Sequence, residues 1–205
     1  MIPNAQPLPP DFYERPTLVV ARQLLGARLV RVLGGDILSG IITETEAYIG
    51  EDDLACHARA GRTPRTRVMY AAPGRAYVYF TYGMHWMLNA VTEAAGFPAA
   101  VLIRAVRVES GHASVAARRP GIKNASWTDG PAKLTRAFGI DGAQNELDLT
   151  DISSGLWIEA GFVISDANVT IGPRVCLYSV PEPSRSLPWR FLVTEPSKME
   201  ETWAF

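Results

Sequence analysis

The 205-residue sequence has few of the residues that metal sites, disulfide frameworks and lysine-based covalent chemistry require. Its 2 cysteines, Cys56 and Cys176, are too few for a disulfide framework or a four-cysteine zinc site and are typical of a reducing cytoplasm. The 3 histidines show no H-x-x-x-H spacing, so no zinc motif is present. None of the 3 lysines lies near the acidic or aromatic motifs described below, which disfavours Schiff-base chemistry.

Long apolar runs and nucleotide-binding loops are also missing. The most apolar stretch, residues 77–91, is shorter than the ~20 residues that cross a bilayer, and Gly83 and His85 interrupt it. The N-terminal segment lacks the basic start and apolar centre of a signal peptide, so we expect a soluble cytoplasmic protein. The Walker A, G-x-G-x-x-G and G-x-S-x-G motifs do not occur, which leaves nucleotide hydrolysis, dinucleotide chemistry and serine hydrolysis without support.

The net charge of −1 conceals an uneven distribution along the chain. Residues 57–136 carry 12 basic and 3 acidic residues, giving +9, whereas the remainder carries 8 basic and 18 acidic residues, giving −10. A basic face of this kind binds a polyanion such as nucleic acid, because phosphate contacts supply much of the affinity. The alternative is an arginine-rich surface that pairs with the acidic ends of the chain in the folded state.

Local patterns predict an α+β fold with a mostly antiparallel or mixed sheet. Residues 1–10 are predicted as an extended arm and residues 11–205 as one domain. Strands cluster along the chain and do not alternate regularly with helices, which disfavours a doubly wound sheet. The predicted helices are 16–25, 52–56, 113–119 and 131–139, the last with Asp129 as its N-cap. The predicted strands are 28–33, 37–48, 76–81, 86–91, 100–108, 156–160, 174–178 and 190–193.

Two carboxylates lie on one face of the second predicted strand. Side chains repeat every two residues along a strand, so Ile42, Glu44, Glu46 and Tyr48 are predicted to share that face. Partial burial and neighbouring cations would let Glu46 act as a general base toward a water molecule. The alternative is a solvated strand face, because exposed acidic residues are common.

Tyrosines are concentrated in one part of the sequence: Tyr48, Tyr70, Tyr77, Tyr79 and Tyr82. Tyr82 falls in a predicted turn, where a large ring has little to pack against unless it inserts into a partner. Rings that stack on an extruded base are what a base-flipping enzyme needs, although most aromatic clusters form core. His57 is predicted as a donor or stacking partner in a pocket, or as a loop residue.

Five sequence blocks occur in one order along the chain. They are T-E-T-E-A-Y-I-G-x-x-D-x-A-x-H, T-P-R-T-R-x-M, P-G-x-A-Y-V-Y-F-T-Y-G-M-H-x-x-x-N, A-A-V-L-I-R-A and D-G-P-A-K-L-T-R-A-F-G-I. This pattern resembles the bacterial form of the alkyladenine (3-methyladenine) DNA glycosylase family. The resemblance covers residues 24–149, with weaker similarity at 188–191. It implies a single domain with a curved central sheet flanked by helices, similar also to the C-terminal domain of formyltransferase.

The resemblance also implies a role for individual residues in the reaction. Glu46 would activate the water that attacks C1′ of a flipped nucleotide. Arg104 would help to hold that water, and the backbone carbonyl of Val175 would be a further acceptor. Tyr48, His57 and Tyr79 would stack on the excised base.

Further roles concern purine selection and contact with DNA. Asn89 would screen purines against an exocyclic amino group. Tyr82, with Met84 beside it, would fill the space that the base leaves in the duplex. The candidates for contacts with the DNA backbone are Arg62, Arg65, Arg67 and Lys133.

The activity expected from the resemblance is monofunctional DNA glycosylase action in base excision repair, with no metal or organic cofactor. The expected partner is duplex DNA that contains alkylated or deaminated purines. The protein would be a monomer in the bacterial cytoplasm, associated with the nucleoid and not with a membrane. Cys176 and the segments 110–127 and 192–201 depart from the family pattern, which bears on lesion range.

Two other functions fit parts of the sequence. One is a catalytically silent protein of the same fold that binds DNA lesions. The other is a carbohydrate hydrolase that uses Glu46 with Asp52 or Asp53, since two carboxylates at a suitable separation cleave glycosidic bonds.

Overall fold

The computed structural model describes residues 6–194, which form a single α+β domain around an eight-stranded sheet. The strands are β1 (Arg28–Leu33), β2 (Asp36–Ile49), β3 (Ala76–Thr81), β4 (His85–Val91), β5 (Ala99–Ser110), β6 (Leu156–Glu159), β7 (Val169–Gly172) and β8 (Arg190–Val193). The α-helices are α1 (Pro10–Tyr13), α2 (Thr17–Gln23), α3 (His112–Arg118) and α4 (Pro131–Phe138). In the described part of the chain, no helix is long and apolar enough to cross a membrane.

The sheet is antiparallel, open and curved. This confirms the predicted α+β fold with a mostly antiparallel or mixed sheet. The strand order is β3-β4-β5-β2-β1-β6, and β8 joins β2 and β7 outside this path. The long strand β2 pairs with β5 along most of its length. Its first half also pairs with β1 through Ile41, and its second half pairs with β8 from Glu44 onward. The sheet therefore forks at the centre of β2.

Two β-bulges lie between β2 and β5 at this fork. Thr43 in β2 and Arg104 in β5 have no partner in the register. An extra residue bends a strand and changes which face the following side chains occupy. Ile42 packs in the same core cluster as Ala47, an odd-numbered position. The prediction that Ile42 shares a face with Glu46 is therefore wrong, because the bulge shifts the alternation by one residue.

The two faces of the sheet carry different cores. The larger core lies on the face that α2 and α4 cover, and its fully buried side chains include Leu24, Ile103 and Phe138. A smaller cluster around Val68, Met69 and Tyr77 includes the loop that follows β2. The tyrosines of β3 belong to this smaller cluster, whereas Ala76 and Val78 belong to the larger one. The alternation predicted for residues 76–81 is thus confirmed.

Three local predictions are wrong. The residues at 174–178 form no strand, because the Val175 N–H bonds to a side chain instead of a neighbouring strand and Cys176 has a left-handed φ of 63°. No helix spans 52–56, where Asp53 accepts hydrogen bonds from the backbone and from Arg174. Gly130, not Asp129, is the N-cap of α4, and Asp129 pairs instead with Lys133 at 2.8 Å.

The predicted N-terminal arm falls partly within the described residues. Pro7 forms a bridge with Glu159, the Leu8 N–H donates to the Ile158 carbonyl at 2.8 Å, and Leu8 is buried. Pro10 already begins α1. Residues 6–9 therefore extend along β6. Residues 1–5 and 195–205, which include most of the divergent tail, lie outside the described residues.

Gly26, between α2 and β1, provides a test of this packing. Its φ is +89°, and a Cβ there would lie 2.1 Å from the backbone oxygen of Phe162. Gly34, in the β1–β2 turn, also has a positive φ, but a Cβ there would meet nothing within 4 Å. We expect Gly34→Ala to lower the free energy of unfolding by about 1–2 kcal/mol from backbone strain alone. Gly26→Ala adds overpacking and should cost about 1–3 kcal/mol more.

Urea unfolding followed by circular dichroism measures both changes. Equal losses in the two variants would show that the contact between Gly26 and Phe162 does not constrain the fold.

Candidate active site

A cavity of about 270 Å³ opens on the face of the sheet that carries the smaller core. Its size is close to the lower end of the ~300–1,000 Å³ that small-molecule sites occupy. Strands β2 to β5, the loop after β2 and the segment after β7 all contribute to it. The predicted site residues that line it are Tyr48, His57, Tyr79, Tyr82, Asn89, Arg104 and Val175.

Glu46 lies behind this lining, with no exposure to solvent. Its Oε1 accepts a hydrogen bond from the Val175 N–H at 2.7 Å. Its Oε2 accepts one from the Tyr48 hydroxyl at 2.8 Å and lies 3.2 Å from Nη1 of Arg104. All three partners line the cavity. The carboxylate is therefore buried, surrounded by donors and one side chain away from the cavity.

Arg104 connects Glu46 to a second carboxylate. Its Nε donates to Oε1 of Glu44 at 2.7 Å, and Arg190 donates to the same oxygen at 2.5 Å. Burial alone would lower the pKa of the Arg104 guanidinium, but the carboxylates of Glu46 and Glu44 together raise it. Arg104 thus remains a cation near neutral pH.

The Val175 N–H is held in place by a buried ion pair that includes the preceding residue. Arg174 donates to both carboxylate oxygens of Asp53, at 2.5 and 2.8 Å, and neither side chain is more than 1% exposed. Arg174 also donates to the backbone oxygens of Ala47 and Ser184, and its guanidinium lies 4.7 Å from the centre of the Tyr48 ring. The pair therefore joins β2, the loop after it and the segment after β7.

Aromatic rings form one wall of the cavity. The His57 and Tyr79 ring centres are 4.5 Å apart, and those of Tyr77 and Tyr79 are 5.2 Å apart. Nδ1 of His57 lies 3.0 Å from the Tyr77 hydroxyl. Burial, together with Arg65 and Arg59, lowers the pKa of His57 to about 4, so the ring is neutral near pH 7. Burial also raises the pKa of the Tyr79 phenol, which stays protonated.

Polar groups elsewhere in the cavity are few. The Asn89 side chain is buried, and its Nδ2 donates to the Tyr77 carbonyl at 2.9 Å. Val175 takes part through its N–H, whereas the prediction concerned its carbonyl. Cys176 is exposed and lines the cavity in a left-handed conformation. Among the residues described, no group of three or more histidine, cysteine or acidic side chains is arranged to hold a metal ion.

The turn between β3 and β4 places an aromatic ring at the mouth of the cavity. Tyr82 is 77% exposed and Met84 is 68% exposed, although both are large and apolar. Tyr82 has a φ of 52°, a conformation that is uncommon for a residue other than glycine. Backbone strain of this kind is concentrated at functional sites. The predicted turn at Tyr82-Gly83 is confirmed.

The predicted DNA-backbone residues have different surroundings. All four side chains are exposed. Arg67 pairs with Glu146 at 2.5 Å and Lys133 pairs with Asp129, so the charge of each is already compensated. Arg62 lies over the Tyr70 ring and Arg65 over the Tyr79 ring, and within residues 6–194 neither makes an ion pair.

Comparison with known proteins identifies the family. The family model for methylpurine-DNA glycosylase matches residues 11–197. The chain belongs to the methylpurine-DNA glycosylase family. It is 49% identical over 168 residues to a protein of Myxococcus xanthus, covering 82% of this chain and 80% of the relative. A relative from Methanocella arvoryzae is 46% identical over 185 residues, covering 90% of each chain.

A third relative, from Bacillus velezensis, is 39% identical over 195 residues and covers 95% of this chain and 96% of its own. All three relatives carry the name "Putative 3-methyladenine DNA glycosylase". The family expected from the sequence blocks is therefore confirmed.

Several contacts that shape this candidate site do not follow from sequence patterns. Arg174 and Asp53 are 121 positions apart, and no local pattern relates them. The sequence patterns place Glu44 on a strand face and Arg190 in a strand, but they assign no role at the site to either residue. One sequence feature points to a role for Glu44. The T-E-T-E repeat places two carboxylates, Glu44 and Glu46, on one strand face, although a general base requires only one.

The Arg174–Asp53 pair can be tested by removing one charge. Asp53→Asn leaves a buried guanidinium without a counter-charge, so the free energy of unfolding should fall by about 3–5 kcal/mol. Asp52→Asn is the matched control, because it removes the same charge from an exposed neighbouring side chain. Urea unfolding at pH 7 measures the difference. Equal stability of the two variants would mean that the pair does not support the site.

Proposed function

We propose that this protein extrudes an alkylated or deaminated purine from duplex DNA and hydrolyses its N-glycosidic bond with water activated by Glu46. The burial of the Glu46 carboxylate behind a ring-walled cavity, with two hydrogen-bond donors and the Arg104 guanidinium next to it, carries this proposal. A general base must lie within reach of the proton that it takes, either directly or through one water. Because Tyr48, Arg104 and Val175 all line the cavity, a water bound among them meets Glu46 from the cavity side.

Each of these groups has a separate role in the reaction. Water attacks C1′ of the extruded nucleotide while Glu46 accepts its proton, and the purine leaves with the bonding electrons. Arg104 and the Val175 N–H hold the carboxylate in one orientation and limit its movement during attack. Fixed charges in a site that excludes water act more strongly than they would in solution.

The charge state of the cavity favours an alkylated purine as the leaving group. Alkylated purines carry positive charge, and the surrounding rings attract a cation by about 0.5–2 kcal/mol. His57 adds no positive charge to the wall, because burial and the neighbouring arginines keep its ring neutral near pH 7. Extrusion costs a few kcal/mol and costs least for damaged or mispaired bases, so selection begins before the base enters the cavity.

The exposed turn and the nearby arginines support contact with DNA. Tyr82 is positioned to fill the gap that the extruded base leaves, with Met84 beside it. Arg62 and Arg65 are proposed to contact phosphates directly, whereas Arg67 and Lys133 would first leave their acidic partners. Within the part of the chain that the structure describes, the cavity lining includes no lysine, which supports hydrolysis without lyase activity. We propose that the protein acts as a monomer on the bacterial nucleoid.

The carbohydrate hydrolase alternative is disfavoured by the second carboxylate that it needs. Both oxygens of Asp53 accept hydrogen bonds from Arg174, and the residue is buried. Asp52 is exposed at the surface. Neither carboxylate is therefore available in the cavity to act together with Glu46.

Glu46→Gln tests the proposed role of the carboxylate. The amide keeps the shape of the side chain but cannot take a proton from water, so single-turnover base release from methylated duplex should fall by about 10²- to 10⁴-fold. Binding of a lesion duplex should stay close to that of the parent protein. Glu14→Gln, at an exposed glutamate, is the matched control and should leave release unchanged. Undiminished release by Glu46→Gln would rule out the mechanism.

Tyr82→Ala tests insertion of the ring into the duplex. Stacking on a base is worth about 1–3 kcal/mol, so affinity for a lesion duplex should fall by about 5- to 150-fold. Tyr82→Phe keeps the ring and should bind as the parent protein does. Fluorescence anisotropy with a labelled duplex measures both affinities. Parent-like binding by Tyr82→Ala would contradict insertion.

A further inference from the structure

The Glu44 side chain is linked to the proposed catalytic group through Arg104. It is only 8% exposed, and a single oxygen, Oε1, accepts hydrogen bonds from Nε of Arg104 at 2.7 Å and Nε of Arg190 at 2.5 Å. Charge-assisted bonds of this kind are shorter and stronger than neutral ones. A buried acid that joins two arginines is costly to retain for stability alone, because desolvation offsets much of the attraction.

Both arginines also lie close to Glu46. Nη1 of Arg104 is 3.2 Å from its Oε2. Arg190 is its direct cross-strand partner in the pairing of β2 with β8. The four side chains of Glu44, Glu46, Arg104 and Arg190 form a cluster with two negative and two positive charges. We call this group the four-charge cluster.

The direction of the Arg104 side chain is not fixed by the strand ladder. Arg104 is the bulged residue of β5 and has no partner across from it in β2. A second bulge, at Thr43, immediately precedes Glu44. Bulges next to active sites commonly redirect a side chain. The hydrogen bond from Nε of Arg104 to Glu44 therefore determines which of its nitrogens points toward Glu46.

We propose that Glu44 is a positioning residue for hydrolysis. Its carboxylate holds Nε of Arg104, so that the Arg104 guanidinium contacts Glu46 through Nη1 only. The inference rests on the proposed function. A free guanidinium prefers a bidentate pair with a carboxylate, and such a pair would cover both oxygens of Glu46. By holding Nε, Glu44 turns the guanidinium away from this bidentate arrangement, which leaves an acceptor site on Glu46 for the attacking water. The second salt bridge, from Arg190, keeps Glu44 in place.

The other groups near Glu46 are neutral or already paired, so the four-charge cluster supplies most of the charge around the Glu46 carboxylate. Burial raises the pKa of the Tyr48 phenol on β2 and of the Tyr79 phenol on β3, so both are neutral. The segment after β7 contributes the Val175 N–H, which carries no charge. Arg174 is compensated by its pair with Asp53.

Glu44→Gln tests the proposal with little change in shape. The amide oxygen can still accept a bond, but one negative charge is lost and the cluster becomes net positive. Single-turnover base release should fall by about tenfold, since positioning contributes to the rate. The acidic limb of the pH–rate profile should also move to lower pH, because the loss of a neighbouring negative charge leaves Glu46 beside an uncompensated cation.

Arg190→Gln should move the same limb in the opposite direction. It removes a positive charge and leaves the cluster net negative, so protonation of Glu46 becomes easier and the limb moves to higher pH. The Arg190 side chain is 30% exposed, so we expect a smaller shift than for Glu44→Gln. Thermal melting of both variants shows whether each is folded at the assay temperature.

Opposite shifts in the two variants would support the positioning role. A reduced rate with an unmoved acidic limb in both folded variants would indicate a structural role only and would overturn the proposal. Parent-like rates and profiles would overturn it as well. These outcomes differ from failure of the proposed function, in which the parent protein releases no base or Glu46→Gln remains fully active.

Discussion

A carboxylate that is removed from solvent must be surrounded by donors, and this requirement organises the face of the sheet that carries the candidate active site. Burying an ion without partners costs several kcal/mol even after the protein relaxes. Glu46 meets the requirement with a phenol from its own strand, a guanidinium from β5 and a backbone N–H from the segment after β7. The cavity, the bulges and the forked sheet all serve to bring these three donors to one point.

The supports of the site extend well beyond the cavity. The bulge in β5 frees Arg104 from the ladder, and Glu44 then orients it. Arg174 fixes the position of Val175 through Asp53 and packs against the Tyr48 ring. The rings that would receive a base lie on β3, where alternation separates them from the main core. Each group around Glu46 is thus held by a second interaction that is itself buried.

Much of the fold could be predicted from the sequence, because alternating apolar residues and turn signals are local. The strands at 28–33 and 76–81 follow from such patterns. The same patterns gave the wrong face for Ile42, since a bulge depends on the partner strand and leaves no mark in one strand alone. Residues 174–178 have strand-like composition, but the Val175 N–H is used by Glu46. Long-range pairs such as Arg174 with Asp53 were not predictable, because no local pattern links residues so far apart.

The most direct test of the account is product analysis with the unaltered protein on a duplex that contains a single 3-methyladenine. Free base is quantified by chromatography, and abasic sites are counted by strand breaks after mild alkali. Hydrolysis by water predicts one released purine for each abasic site and intact strands before alkali. No released base, or strand cleavage without alkali, would contradict hydrolysis by a water molecule at Glu46.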